Sequence, residues 1–202
     1  GLGDVYKRQG YGFIRFDYHG HGKSSGTYTE GTIGLWKQNC LDVIDQLTNT
    51  PQIVIGSSLG GWLMLLTALE RVKNISALIG IAPAPDFTDE LMWDQLTKEQ
   101  QQLLTTQGLI DLPSEYSDCP YPITLDLIED GRKHFLLNND IKLNCPIRLI
   151  HGMKDDDVPY DFSLRIAQQT TSSDIDIMLV KSGDHRMSCL LYTSPSPRDK
   201  TV

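Results

Sequence analysis

Between Pro51 and Gly61 the chain reads PQIVIGSSLGG, and few folds accommodate such a stretch. Ile53-Val54-Ile55 is a short β-branched run of the kind that fills a strand buried on both faces. Gly56-Ser57-Ser58-Leu59-Gly60 follows as a G-x-S-x-G, and Gly61 leads into a helical run, Trp62–Val72. Alone, a G-x-S-x-G is often no more than a Gly/Ser turn. Between a buried strand and a helix it becomes the sharp turn that lifts a serine hydroxyl above the carboxyl edge of a sheet. The serine is held in a strained backbone conformation, and glycine on either side avoids a clash with it. The following helix aims its first N–H groups at the same spot. The Leu59 backbone N–H is therefore the candidate donor to an oxyanion forming beside Ser58.

Strands and helices alternate around this turn. Gly12–Asp17 is an apolar-rich strand, and Asp17–Gly26 a glycine-laced loop at its end. The loop contains G-x-G but not G-x-G-x-x-G, and no helix opens directly after it, so it does not read as a dinucleotide cradle. Thr32–Leu47 is an amphipathic helix with Ile33, Trp36, Cys40, Val43, Ile44 and Leu47 at helical spacing. Ala77–Ala82 is a further buried strand. From Asp86 to Asn144 the alternation breaks, with a helix over Glu90–Thr106, a proline-bearing stretch over Leu112–Thr124 and a second helix over Leu125–Leu137. This is the pattern of a small helical cap inserted between two strands, a common home for substrate selectivity. Strand Pro146–Ile150, helix Tyr160–Gln169 and strand Ile175–Val180 resume the alternation. The expected fold is α/β, a parallel sheet flanked by helices with right-handed crossovers.

A serine hydroxyl is a weak nucleophile without a histidine base, and the base needs a carboxylate to fix its tautomer. Both partners should sit at the same sheet edge. The strand ending at Ile150 runs into His151-Gly152-Met153-Lys154-Asp155-Asp156-Asp157-Val158-Pro159, and the last strand into Ser182-Gly183-Asp184-His185. With D-x-x-G-x-G-x-S at Asp17–Ser24, GSSLGG, HGxxDxxVP and GDH, the chain resembles an α/β-hydrolase over nearly all of Gly10–Ser188. In that family the acid is the D of HGxxD, which falls on Asp155, so the resemblance assigns Ser58, Asp155 and His185 as nucleophile, acid and base. Asp156 and Asp157 are adjacent alternatives, read as a solvated loop. His151 is read as a packing residue, His19 and His21 as candidates to line the pocket, and His134 as a surface or packing residue.

The cap narrows the resemblance. Pro113-Ser114-Glu115-Tyr116, Tyr121-Pro122-Ile123-Thr124 and Leu127–Arg132 are similar to the mitochondrial acyl-protein thioesterase and acyl-glucuronide esterase group of abhydrolase-domain proteins and its bacterial relatives. That implies a small-molecule ester or acyl-thioester substrate and no metal or organic cofactor. The competing readings are a peptidase or carbon–carbon bond hydrolase on the same fold, and a non-catalytic binding protein of that fold. In the family, a second oxyanion donor comes from a loop that would precede Gly10 and is missing here.

With 202 residues and a net charge of −8 spread without blocks, the chain suggests one domain with no basic patch for nucleic acid. No apolar run is long enough for stable membrane insertion. Cys40, Cys119, Cys145 and Cys189 lack metal or disulfide spacing, which points to reduced thiols in a reducing compartment; the expected location is a bacterial cytoplasm. Residues 1–9 (GLGDVYKRQ) and 189–202 (CLLYTSPSPRDKTV) lack the periodicity of what they abut and resemble translated sequencing-adapter scars on a metagenomic reading frame. Residues 10–188 would then be a hydrolase domain truncated at both ends, with its cap at about 86–144 and no readable targeting signal. Such a fragment is expected to be poorly soluble and impaired in turnover.

Overall fold

The structure is a computed structural model that describes residues 12–113 and 120–186. The proposed scars at 1–9 and 189–202 lie outside the described residues.

Thr32 accepts a hydrogen bond from the Leu35 N–H and starts the first long helix, α1 (Ile33–Leu47), satisfying a donor that a helix start leaves over. The chain continues through β1 (Gln52–Ser57), α2 (Leu59–Glu70) and β2 (Ile75–Ile81). The cap then contributes a π turn (Thr88–Met92), a 3-10 turn (Trp93–Gln95), α3 (Lys98–Gln107), β3 (Leu109–Leu112), β4 (Tyr121–Thr124) and α4 (Leu125–Arg132). β5 (Ile147–Gly152), α5 (Asp161–Gln169) and β6 (Ile175–Val180) complete the described elements.

β1, β2, β5 and β6 form a parallel sheet in the order β1-β2-β5-β6. The expected parallel sheet flanked by helices is therefore present. Its core lies on the side covered by α1, α2 and α5, where Trp36, Trp62, Leu63, Leu65, Leu78, Ile147 and Ile166 are almost wholly removed from solvent. This is the large apolar surface whose burial drives folding.

Three expectations about the sheet and α1 need correction. Gly12–Asp17 does not join the sheet, because strand structure requires a hydrogen-bonding neighbour and β1 pairs only with β2 among the described residues. Phe13, Ile14 and Phe16 are accordingly exposed. β1 is not buried on both faces: Val54 and Gly56 turn inward, while Ile53 and Ile55 are 60% and 48% exposed. Alternation along a strand sends successive side chains to opposite faces, and no helix covers the second face among the described residues. On α1, Leu41 rather than Leu47 joins the buried side.

The cap differs more. In place of one helix over Glu90–Thr106 there is a break before Lys98. Thr97 accepts from the Gln100 N–H while the Gln100 side chain accepts from the Thr97 N–H, and this reciprocal cap begins a new helix. The proline-bearing stretch holds an antiparallel hairpin, with Leu109 opposite Thr124 and Leu112 opposite Tyr121. The second helix ends at Arg132, because the N–H groups of Leu136 and Leu137 donate to the Asp86 carboxylate instead of to helix carbonyls.

Candidate active site

Ser58 has φ 53 and ψ −121, a conformation that costs a non-glycine residue of order 1–3 kcal/mol and persists only where its surroundings impose it. They do so here. The Ser58 N–H donates to Ile81 O at 2.9 Å, and Ser58 O accepts from the N–H groups of Gly61 at 2.8 Å and Ala84 at 3.1 Å. A Cβ on Gly56 would lie 2.2 Å from Gly60 O, and one on Gly61 would lie 2.5 Å from Pro83 Cβ. The expected need for glycine after the serine thus falls on Gly61. A Cβ on Gly60 would meet only Tyr18 Oη at 3.6 Å, an ordinary contact.

Asp155 follows the end of β5 and His185 follows β6, and the two loops are tied together. The Lys154 N–H donates to Gly183 O at 2.9 Å, and the Met153 N–H donates to Val180 O at 2.9 Å. Gly152 makes this approach possible, since a Cβ there would stand 2.3 Å from Gly183 O. The result is a continuous hydrogen-bonded chain. His185 Nδ1 lies 2.8 Å from Asp155 Oδ2, and His185 Nε2 lies 3.1 Å from Ser58 Oγ. The buried Asp155 takes its remaining bonds from the N–H groups of Val158 at 2.8 Å and Asp157 at 3.1 Å, both to Oδ1. The network places a proton on Nδ1 and leaves Nε2 to accept from the serine hydroxyl.

His151 is fully buried behind the acid loop, as a packing residue should be. Its Nε2 is 2.9 Å from Val158 O and its Nδ1 2.8 Å from Ser163 Oγ. Burial pushes its pKa below the usual histidine value, so the neutral ring donates from Nε2 and accepts from Ser163. Asp156 is exposed, in line with a solvated loop. Asp157 is exposed too but also lines the pocket, which the sequence did not suggest. His21 lines the pocket and His19 does not; His19 meets Glu30 Oε2 at 3.1 Å instead. His134, on the cap, accepts a hydrogen bond from Trp62 Nε1 at its backbone carbonyl, at 3.1 Å.

Ser58 opens into a cavity of about 390 Å³, a size suited to a small-molecule ligand. Leu59, Leu91, Met92 and Val158 give it an aliphatic side, while His21, Tyr28, Trp36, Phe87 and Tyr121 contribute aromatic rings. None of the aromatic residues except His21 was legible as pocket lining. Trp36 carried only a helix-core signal, and Tyr121 sits in a hairpin strand that four residues cannot advertise. Asp155, Asp157 and His185 bring possible metal-ligand atoms within 4.8 Å of one another. Asp155 and His185 are hydrogen-bonded to each other, to Ser58 and to backbone N–H groups.

The profile described as "Hydrolase_4: Serine aminopeptidase, S33" matches residues 2–110, more than half of the chain. This chain is an α/β-hydrolase of the Hydrolase_4 family. Among solved structures, the α/β-hydrolase domain-containing protein 10 from mouse superposes with a TM-score of 0.82 at 41% identity, over 92% of this chain and 74% of that one. A putative hydrolase from Agrobacterium vitis S4 superposes at 0.88 with 36% identity, over 98% and 76%. The human palmitoyl-protein thioesterase ABHD10, mitochondrial, is 43% identical over 201 residues, covering 96% of this chain. The chain spans 65% of the length of that curated relative. Among the described residues of this α/β-hydrolase, no helix is long and apolar enough to cross a membrane.

Proposed function

We propose that the chain is a serine hydrolase that cleaves carboxylic esters and acyl thioesters through an acyl-enzyme on Ser58. The observation that carries this is the pair of contacts made by His185, 3.1 Å to Ser58 Oγ and 2.8 Å to Asp155 Oδ2. These are within the reach that proton transfer requires. His185 takes the hydroxyl proton as Oγ attacks the carbonyl carbon, and Asp155 stabilises the imidazolium that forms. The tetrahedral oxyanion accepts from the Leu59 N–H at the start of α2. Collapse expels the thiol or alcohol, which leaves with the proton held on His185, and a water activated by the same imidazole releases the acid.

Thiolates and activated alkoxides leave with little protonation, and the pocket is largely apolar, so esters and thioesters of apolar acids suit it. The name of the human relative, a palmitoyl-protein thioesterase, supports the same substrate class. The free thiols of Cys40 and Cys145 fit a reducing compartment, read here as a bacterial cytoplasm; the mammalian relatives carry mitochondrial names. A second reading, aminopeptidase, is favoured by the family description.

Turnover of p-nitrophenyl esters, acyl thioesters and aminoacyl p-nitroanilides by wild type and Ser58→Ala tests the proposal. Ester and thioester turnover that Ser58→Ala abolishes is expected. Turnover confined to the anilides would favour the peptidase, and no Ser58-dependent turnover of any of them would refute both.

A further inference from the structure

The cap meets the core above the pocket through two tyrosines. Tyr28, in the 3-10 turn before α1, and Tyr121, on β4 of the cap, share a hydroxyl–hydroxyl hydrogen bond. Their ring centroids are 5.5 Å apart, and both rings line the cavity. Tyr28 packs against His21 at 5.4 Å and Trp36 at 6.1 Å. His21 is itself fixed, with Nδ1 3.1 Å from His19 O, and Trp36 Nε1 donates to the same carbonyl at 3.0 Å. The core half of the bridge is therefore rigid, while the cap half rides on a two-stranded hairpin.

Elsewhere the cap is anchored at several further points, among them Asp130, whose carboxylate accepts from the Gly34 N–H of α1 at 2.6 Å. Asp86 binds the returning chain at Leu136 and Leu137, and Arg165 of α5 pairs with Glu90 through two contacts of 2.6 Å. The tyrosine bridge is thus a cap-to-core link on the wall of the cavity that Ser58 lines. Burial raises the pKa of both phenols, so both hydroxyls stay protonated and the bridge is a neutral one.

Resting on the serine-hydrolase reading, we infer that the Tyr28–Tyr121 bridge is the wall that sets the length of acyl chain the pocket accepts. A chain that ends short of the wall is buried with the bridge intact. One that reaches further must part the two hydroxyls and displace the hairpin, so added methylenes past the wall stop contributing to binding.

Binding of straight-chain methyl ketones of increasing length to Ser58→Ala protein tests this without turnover, because the ketones mimic the acyl half and do not react. Calorimetry should show affinity rising about fourfold for each methylene buried, then a plateau. In Ser58→Ala/Tyr121→Ala the plateau should come at a longer chain, and in Ser58→Ala/Tyr121→Trp at a shorter one. Ser58→Ala/Tyr28→Phe, which breaks the bridge but keeps both rings, should shift it in the same direction as alanine and by less. Should the alanine variant fail to fold, the tryptophan and phenylalanine variants still decide the matter. A plateau at the same length in all folded variants, or no ketone binding at any length, overturns the inference. Absence of Ser58-dependent turnover with the plateau shifts intact would instead refute the hydrolase reading alone.

Discussion

Asp86 closes the cap on itself: its carboxylate, at the point where the chain leaves the sheet, accepts from the Leu137 N–H, where the chain returns, at 2.8 Å. Asp86 is itself in the left-handed region, with φ 62, and is 2% exposed. The clasp sets where the cap begins and ends, and so where Phe87, Leu91 and Met92 stand over Ser58.

Replacing Asp86 by asparagine keeps a residue that tolerates this φ but turns an amide N–H₂ towards a backbone donor. A loss of about 1–3 kcal/mol is expected, read as a lowered midpoint in urea. Burial raises the Asp86 pKa, so the folded state favours the protonated form. Its contribution is fully present below the ordinary carboxylate pKa of about 3.9 and declines as pH rises through the raised folded value. The advantage of wild type over Asp86→Asn should accordingly shrink with rising pH.

His151 gives the opposite slope. Its pKa is lowered in the fold, so the stability tied to the neutral ring is complete above about 6.5 and is lost as pH falls towards the folded value. Ser163→Ala removes the donor to Nδ1 and should cost about 1–3 kcal/mol at neutral pH. Unfolding in urea between neutral and mildly acidic pH reads both effects, and pH-independent stability across that range would contradict the buried-neutral assignment.

The elbow glycines should part company. Gly56→Ala drives a Cβ into Gly60 O and should destabilise by about 1–3 kcal/mol, as overpacking does, with loss of turnover. Gly60→Ala has room and a helical setting, so a change of no more than about 1 kcal/mol is expected. Thermal melts of the two variants, run side by side, distinguish them.

The elbow, the acid loop and the histidine loop were legible because each is a local signal: Gly56 and Gly61 flank a strained serine, and Gly152 lets one loop cross another. Asp155 was separable from Asp156 and Asp157 only through the resemblance; the fold then buries Asp155 and leaves its neighbours exposed. What escaped was non-local. β3 and β4 are four residues each, held by their mutual pairing and by the packing of Ile110 and Ile123 on Leu96, Leu104 and Ile128, and Tyr121 reaches the pocket only because that hairpin folds. Gly12–Asp17 has strand composition, yet pairing depends on a neighbour that composition does not supply. Ile53 and Ile55 look like core for the same reason, since a β-branched run fixes a strand but not what covers its faces.

Ser58→Ala and His185→Ala should each lower turnover by several orders of magnitude, with the double variant little worse, because the residues act as a unit. Asp156→Asn, on an exposed side chain, should leave turnover near wild type. Losses that add across the serine and histidine changes would separate the two residues functionally.

His185 is proposed to make Ser58 nucleophilic. Intact-mass and peptide mapping after treatment with a fluorophosphonate measures this directly. One adduct per chain, on Ser58, is predicted for wild type, with labelling abolished in Ser58→Ala and slowed by orders of magnitude in His185→Ala. An unlabelled wild-type chain, or labelling of Ser58 at the same rate without His185, would contradict the account.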